Sequence, residues 1–160
     1  MEKIASFQID HLRLLTGLYV SRVDGAPGAR VTTFDLRMTA PNREEVMSTG
    51  AVHAIEHLGA TYLRNEPAWK DSVLYFGPMG CRTGFYLLMA GEFSPRDVFA
   101  LVRGMLDFII AFEGDIPGAS ARDCGNYQDM DLAEAKRFAR KYRAEVFDHP
   151  DEARMTYPGA

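Results

Sequence analysis

Hydrophobic and polar positions alternate in two stretches near the N-terminus and recur at helical spacing in three stretches further on. Residues 17–23 read as a strand, and residues 30–38 as a second one. In the second, Val31, Thr33, Asp35 and Arg37 fall on one face and Thr32, Phe34, Leu36 and Met38 on the other. The turn cluster Asp24-Gly25-Ala26-Pro27-Gly28 joins them, which predicts an antiparallel hairpin with a loose loop. Pro41 stops the second strand, and Ser48 or Thr49 caps a helix running to about residue 64. Two further strands are expected over 72–76 and 85–91, joined by the Gly-rich loop 77–84. Ser94 is a good N-cap with Pro95 at the first helical position, so a helix follows to about residue 112. Residues 114–130 carry no hydrophobic period and read as a long irregular loop, a kind that is often functional or mobile. Asp131 caps a last amphipathic helix to about residue 147, and the tail after Pro150 is expected to be loose.

The strands come in pairs rather than alternating singly with helices. That pattern predicts an α+β fold, an antiparallel β-sheet with helices packed on one face. A length of 160 residues suits one domain, here residues 1–160, large enough to bury a core without a covalent staple.

Charge removes several classes of partner. The formal net charge is −4, with 25% charged residues, the opposite of a nucleic-acid footprint. The densest basic run, Lys136, Arg137, Arg140, Lys141 and Arg143, is interleaved with Glu134 and Glu145 and reads as a solvated helix face. The sequence has neither an apolar run long enough for a membrane span nor an N-terminal leader pattern, so a cytoplasmic protein is expected. In that compartment Cys81 and Cys124 stay reduced, which opens metal or acid/base roles to them beside the plain one of buried thiols.

The sharpest chemical signal is His53-Ala54-Ile55-Glu56-His57, which holds two of the chain's four histidines. On a helix, residues i and i+4 lie about 40° apart and one turn along, so the two imidazoles can share an ion. Glu56 sits about 60° to the other side of His53, close enough to act near a metal without ligating it. Ile55, Leu58, Gly59 and Tyr62 fall on the opposite, core-facing side. Two imidazoles are too few, and either cysteine can complete a His₂Cys set with one open position, the layout of a catalytic site. Such a donor set suits Zn²⁺ or Fe²⁺ rather than Mg²⁺ or Ca²⁺. The His-x-x-Glu-His order also occurs in a class of metallopeptidases, but no segment offers the downstream acidic ligand such an enzyme needs.

Several segments together resemble the S-ribosylhomocysteine lyase (LuxS) family: Ser6-Phe7-Gln8-Ile9-Asp10-His11, Phe34-Asp35-Leu36-Arg37, Pro41-Asn42, His53 to Leu58, Pro78-Met79-Gly80-Cys81-Arg82-Thr83-Gly84-Phe85-Tyr86, and Cys124-Gly125. They stand in the family's order at near-family spacing.

The resemblance implies a homodimer with active sites at the subunit interface and one divalent metal per subunit, natively Fe²⁺, with Zn²⁺ or Co²⁺ as substitutes. It implies that His53, His57 and Cys124 hold the metal, that Cys81 is a free acid/base, and that Glu56 is a second proton carrier. Ser6 and His11 would reach the substrate from the neighbouring subunit, and Arg37 would help to bind the sugar. The implied reaction walks a carbonyl along the ribose chain until the thioether can be eliminated. It yields homocysteine and 4,5-dihydroxy-2,3-pentanedione, the precursor of a quorum-sensing signal. A cation such as Arg82, next to Cys81, would favour the thiolate. The chain departs from the family at Tyr75, where many members are acidic, at Gly77, where they have serine, and at Thr39, where they have cysteine. A homologue of the same fold that binds without turnover is the other reading, and the retention of Glu56 and Cys81 beside the ligand set argues for turnover.

Overall fold

The computed structural model describes residues 8–159. Its strands β1 (Gly17–Asp24), β2 (Val31–Arg37), β3 (Val73–Pro78) and β4 (Gly84–Ala90) form one antiparallel sheet in the order β1-β2-β4-β3. The helices are α1 (Thr49–Asn65), α2 (Pro95–Ala111) and α3 (Leu132–Tyr142).

Alternation along β2 decides which face is the core. Phe34 lies opposite Leu87, and Leu36 opposite Phe85. These residues join Ile55 and Leu58 of α1, Val102 and Leu106 of α2 and Phe138 of α3 in one buried cluster. This is the α+β arrangement read from the sequence. The other face of β2 is buried as well. Thr33, Asp35 and Arg37 are nearly inaccessible there, and Tyr19 stands opposite Asp35 across the β1–β2 pair.

The helix caps match the local chemistry. Ser48, rather than Thr49, caps α1, accepting from the Ala51 amide, and its hydroxyl donates to Glu134 of α3. Ser94 and Asp97 form a capping box on α2, and Asp131 caps α3. β3 runs on through Pro78. It is an edge strand, where a missing amide donor is tolerated.

Two expectations need correction. The last helix is not uniform to residue 147: after Tyr142 it widens into a π-helical turn, Arg143–Phe147. The wider turn keeps Val146 and Phe147 buried, with the Phe147 ring 4.6 Å from that of Phe99. Nor is the segment after Pro150 loose. Met155 is buried, the Tyr157 ring stacks on Tyr19 at 4.8 Å, and the Arg154 guanidinium donates to the Thr16 carbonyl at 2.7 Å. Apolar and aromatic side chains near a chain end dock where a neighbouring face leaves them a place. Among the described residues, no helix is long and apolar enough to cross a membrane.

Candidate metal centre and thiol cavity

Helix α1 carries its core on one side and its chemistry on the other. Ile55 and Leu58 are fully buried. Gly59 lets the helix sit close to its neighbours, since a Cβ there would stand 2.5 Å from Phe76 Cε1 and 3.1 Å from Met105 Sδ. This docking turns His53 and His57 to the opposite edge, where their ring centroids lie 4.8 Å apart.

The irregular segment between α2 and α3 brings Cys124 back to that edge. Its Sγ lies 3.4 Å from His53 Nε2, and one ligand atom from each of His53, His57 and Cys124 lies within 4.8 Å of the others. A tetrahedral ion with ordinary Zn–N and Zn–S bonds has edges of about 3.3–3.6 Å between such atoms. The Cys124–His53 pair already has that spacing, and a small closure suffices for the rest.

The supports of the two histidines favour the same use. His57 Nδ1 lies 2.8 Å from the Pro117 carbonyl. A carbonyl only accepts, so Nδ1 carries the proton and Nε2 is left with its lone pair, the usual preparation of a metal-binding imidazole. Gly118 makes the approach possible: its φ is +76°, and a Cβ there would sit 3.1 Å from His57 Nδ1. On the other imidazole, Asp129 Oδ2 stands 3.9 Å from His53 Nδ1. Two imidazoles, that of His57 oriented from behind, and a thiolate, with a fourth position open, fit a Zn²⁺- or Fe²⁺-type ion. Glu56 is half-buried beside them, and among the described residues its carboxylate has no hydrogen-bond partner.

A second cluster lines a cavity of about 530 Å³ on the other face of the sheet, with Ile9, His11, Arg37, Cys81, Thr83 and Tyr86 in its wall. Cys81 Sγ lies 3.1 Å from Thr83 Oγ1 and 3.9 Å from Arg37 Nη1. Burial pushes this thiol up, but the hydrogen bonds of Thr83 and the charge of Arg37 outweigh it, and the group sits below its ordinary value. The helpful cation is therefore Arg37 and not Arg82. Arg82 adopts φ +59° and turns its guanidinium to the Met47 carbonyl at 3.1 Å.

Arg37 is held firmly. Its Nη2 donates to Asp35 Oδ2 at 2.6 Å and its Nη1 to Thr83 Oγ1 at 2.6 Å. Burial alone would lower the guanidinium, but Asp35 more than compensates, so it stays charged. With Asp35 held by one terminal nitrogen of Arg37, the other faces the cavity. His11 Nδ1 lies 2.8 Å from the Ile9 carbonyl and donates to it, leaving Nε2 as the free acceptor.

The two clusters remain separate within one chain. Among the described residues lining the cavity, none belongs to the metal trio. Ser6 lies outside the described residues. Tyr75 is half-exposed, and its phenol lies over Gly77, where a Cβ would collide with it. The ring thus fills the space that a side chain at 77 would take. Thr83, Pro117 and Gly118 were missed from the sequence. The Pro-Gly pair was a visible turn signal, whereas nothing local marked Thr83.

An α+β protein with an open His₂Cys ligand set and a separate, polarised thiol has the layout of a metal-dependent enzyme with acid/base groups. Residues 4–153 match the family model described as S-Ribosylhomocysteinase (LuxS). The S-ribosylhomocysteine lyase of Clostridium acetobutylicum is 53% identical over 99% of each chain, and that of Desulfotalea psychrophila 51% identical over 99% of each. That of Borrelia garinii subsp. bavariensis is 45% identical over 99% of this chain and 100% of its own. The chain belongs to the LuxS family.

Proposed function

We infer that this chain is a carbon–sulfur lyase that splits S-ribosylhomocysteine into homocysteine and 4,5-dihydroxy-2,3-pentanedione, the whole chain acting as one lyase domain. Family membership over almost the full length supports the activity. The observation that carries the mechanism is the approach of Cys124 Sγ to within 3.4 Å of His53 Nε2, because it completes the ligand set from a distant loop.

His53, His57 and Cys124 hold one divalent ion per subunit, Fe²⁺ in the cell, with Zn²⁺ or Co²⁺ able to replace it. Zn²⁺ binds such sites more tightly than Fe²⁺, so metal analysis after anaerobic purification identifies the native ion. When bound, the ion supplies Lewis acidity to the carbonyl oxygen of the ring-opened sugar.

The protein side chains move the protons. Cys81 Sγ, kept ready to ionise by Thr83 and Arg37, takes the proton from the carbon beside the carbonyl and returns it to the former carbonyl carbon. Glu56 Oε carries protons between the oxygens. Two such shifts bring the carbonyl to C3. One of these two carriers then takes the C4 proton and the C5–S bond breaks, with the electron pair leaving on sulfur, which is protonated to give homocysteine; the enol left behind takes a proton at C5 to become the dione. Arg37 and His11 Nε2 offer a donor and an acceptor to the sugar hydroxyls, and Ser6 adds a further contact.

The protein works as a homodimer. The resemblance assigns His11 to the neighbouring subunit's site, and Cys81 and Arg37 share its cavity. The three therefore travel together, and each site joins the thiol cavity of one protomer to the metal centre of its partner.

The test is to incubate metal-loaded protein with S-ribosylhomocysteine and titrate the released thiol. Wild type releases it. Cys81→Ala and Glu56→Gln each lose about 10²–10⁴-fold in rate while keeping their metal. A metal-loaded wild type that releases no thiol would sink the reading.

A further inference from the structure

The end of the chain reaches the thiol cavity from behind. Asp151 caps a short 3₁₀ turn, Glu152–Arg154, Arg154 ties to the Thr16 carbonyl, and the Gly159 carbonyl accepts from Arg13 Nη1 at 3.0 Å. Between these anchors the Tyr157 ring stacks on Tyr19 with an interplanar angle of 18°. Its hydroxyl donates to Asp35 Oδ2 at 2.8 Å. Ser21 of β1 also faces the phenol.

Asp35 is where the tail meets the chemistry. The same oxygen, Oδ2, accepts from Arg37 Nη2, while Oδ1 has no partner among the described residues. Asp35 and Arg37 are 1% and 3% exposed, so water cannot replace a donor that is lost. The link continues from Arg37 Nη1 to Thr83 Oγ1 and Cys81 Sγ. Burial pushes the Asp35 carboxyl up, against the charge of Arg37 and the hydrogen bonds from Arg37 and Tyr157. Burial also pushes the Tyr157 phenol up, with the Asp35 charge adding to it, so the hydroxyl stays protonated and donates.

We propose that Tyr157 is a positioning residue for Cys81: its hydroxyl fixes the Asp35 carboxylate, which aims the Arg37 fork at Thr83 and the thiol sulfur. Without that hydroxyl, Oδ1 and Oδ2 become interchangeable and Arg37 loses its fixed anchor. Its charge then spends less time on Cys81. The C-terminal tail is thus a working part of the thiol cavity although none of its described residues lines the cavity wall.

The proposal rests on the lyase reading for its effect on turnover, and its test separates the two. The full-length, metal-loaded protein is compared with Tyr157→Phe, which keeps the ring and its stacking, and with a chain ending at Thr156. Cys81 alkylation by iodoacetamide is followed across pH by mass spectrometry, which resolves it from Cys124, and kcat and KM come from thiol release. Among the described residues lining the cavity, the ionisable groups beside Cys81 are Arg37, His11, Glu44 and Tyr86, and all are unchanged in both variants. Tyr157→Phe is expected to move the alkylation profile to higher pH and to lower kcat about 10-fold, less than the roughly 10²–10⁴-fold that a whole acid/base group contributes. The shorter chain should do at least as much. If Tyr157→Phe lowers thermal stability yet leaves the alkylation profile in place, or moves it to lower pH, the proposal is overturned. Should the shorter chain fail to fold, Tyr157→Phe decides alone. A wild type without thiol release would defeat the lyase reading and leave the alkylation comparison intact.

Discussion

At Cys81 the competing influences are resolved by two neighbours, and one of them can be removed with little change of shape. Thr83→Val deletes the hydroxyl that faces the sulfur and that also anchors Arg37 Nη1. The strongest lowering influence is lost while burial stays, so the thiol rises and alkylation at neutral pH slows, with its profile displaced to higher pH. An unchanged profile would mean that Arg37 and the backbone amide of residue 83 set the thiol without the hydroxyl. The equivalent test behind the metal is Gly118→Ala. At φ +76° an alanine is strained, and its Cβ would press on His57. The Pro117 carbonyl then loses its hold on the ring, and metal affinity should fall about 10–100-fold, as expected when a ligand loses its outer support. Competition against a chromogenic chelator measures it.

Elements place these residues by packing. Helix α1 can present His53 and His57 only because its back is seated close to β3 and α2. Gly59→Ala would improve helix propensity but drive a methyl into the Phe76 ring, which is itself stacked on Phe85 at 5.0 Å. Overpacking costs about 1–3 kcal/mol, and each kcal/mol lowers Tm by about 2–4 °C in a chain of this size. A thermal melt of Gly59→Ala should therefore show a drop of several degrees, and an unchanged Tm would show that the core has slack at this contact. The loop between α2 and α3 works differently. It is anchored to the core through Ile116, and its Pro117 carbonyl, Cys124 thiol and Asp129 carboxylate are on the side of the α1 histidines.

At the scale of the whole molecule, the separation of thiol cavity and metal centre makes a prediction about subunits. Cys81→Ala and His57→Ala are each expected to be inactive as pure proteins. In a mixed dimer, one site combines both defects, and the other joins an intact cavity to an intact metal centre. Unfolding and refolding the two variants together should therefore restore a substantial fraction of wild-type thiol release. If the mixture stays inactive while mixed dimers form, each site lies within one chain and the shared-site proposal fails.

Sequence alone determined what depends on neighbours along the chain. The strand alternation, the caps at Ser48, Ser94 and Asp131, and the one-turn spacing of His53 and His57 are local, set by backbone geometry within a few residues. The ordered motifs carried the family and, through it, the choice of Cys124 over Cys81 as the third ligand, which spacing had left open. Tertiary structure decided what depends on distance through space. It chose Arg37 over the adjacent Arg82 as the cation beside Cys81, because a left-handed backbone turns Arg82 away. It docked the tail through Tyr157, widened the last turn at Arg143–Phe147, and kept the thiol cavity apart from the metal trio. Each of these outcomes depends on a side chain meeting atoms from a remote segment, and no local pattern encodes that meeting.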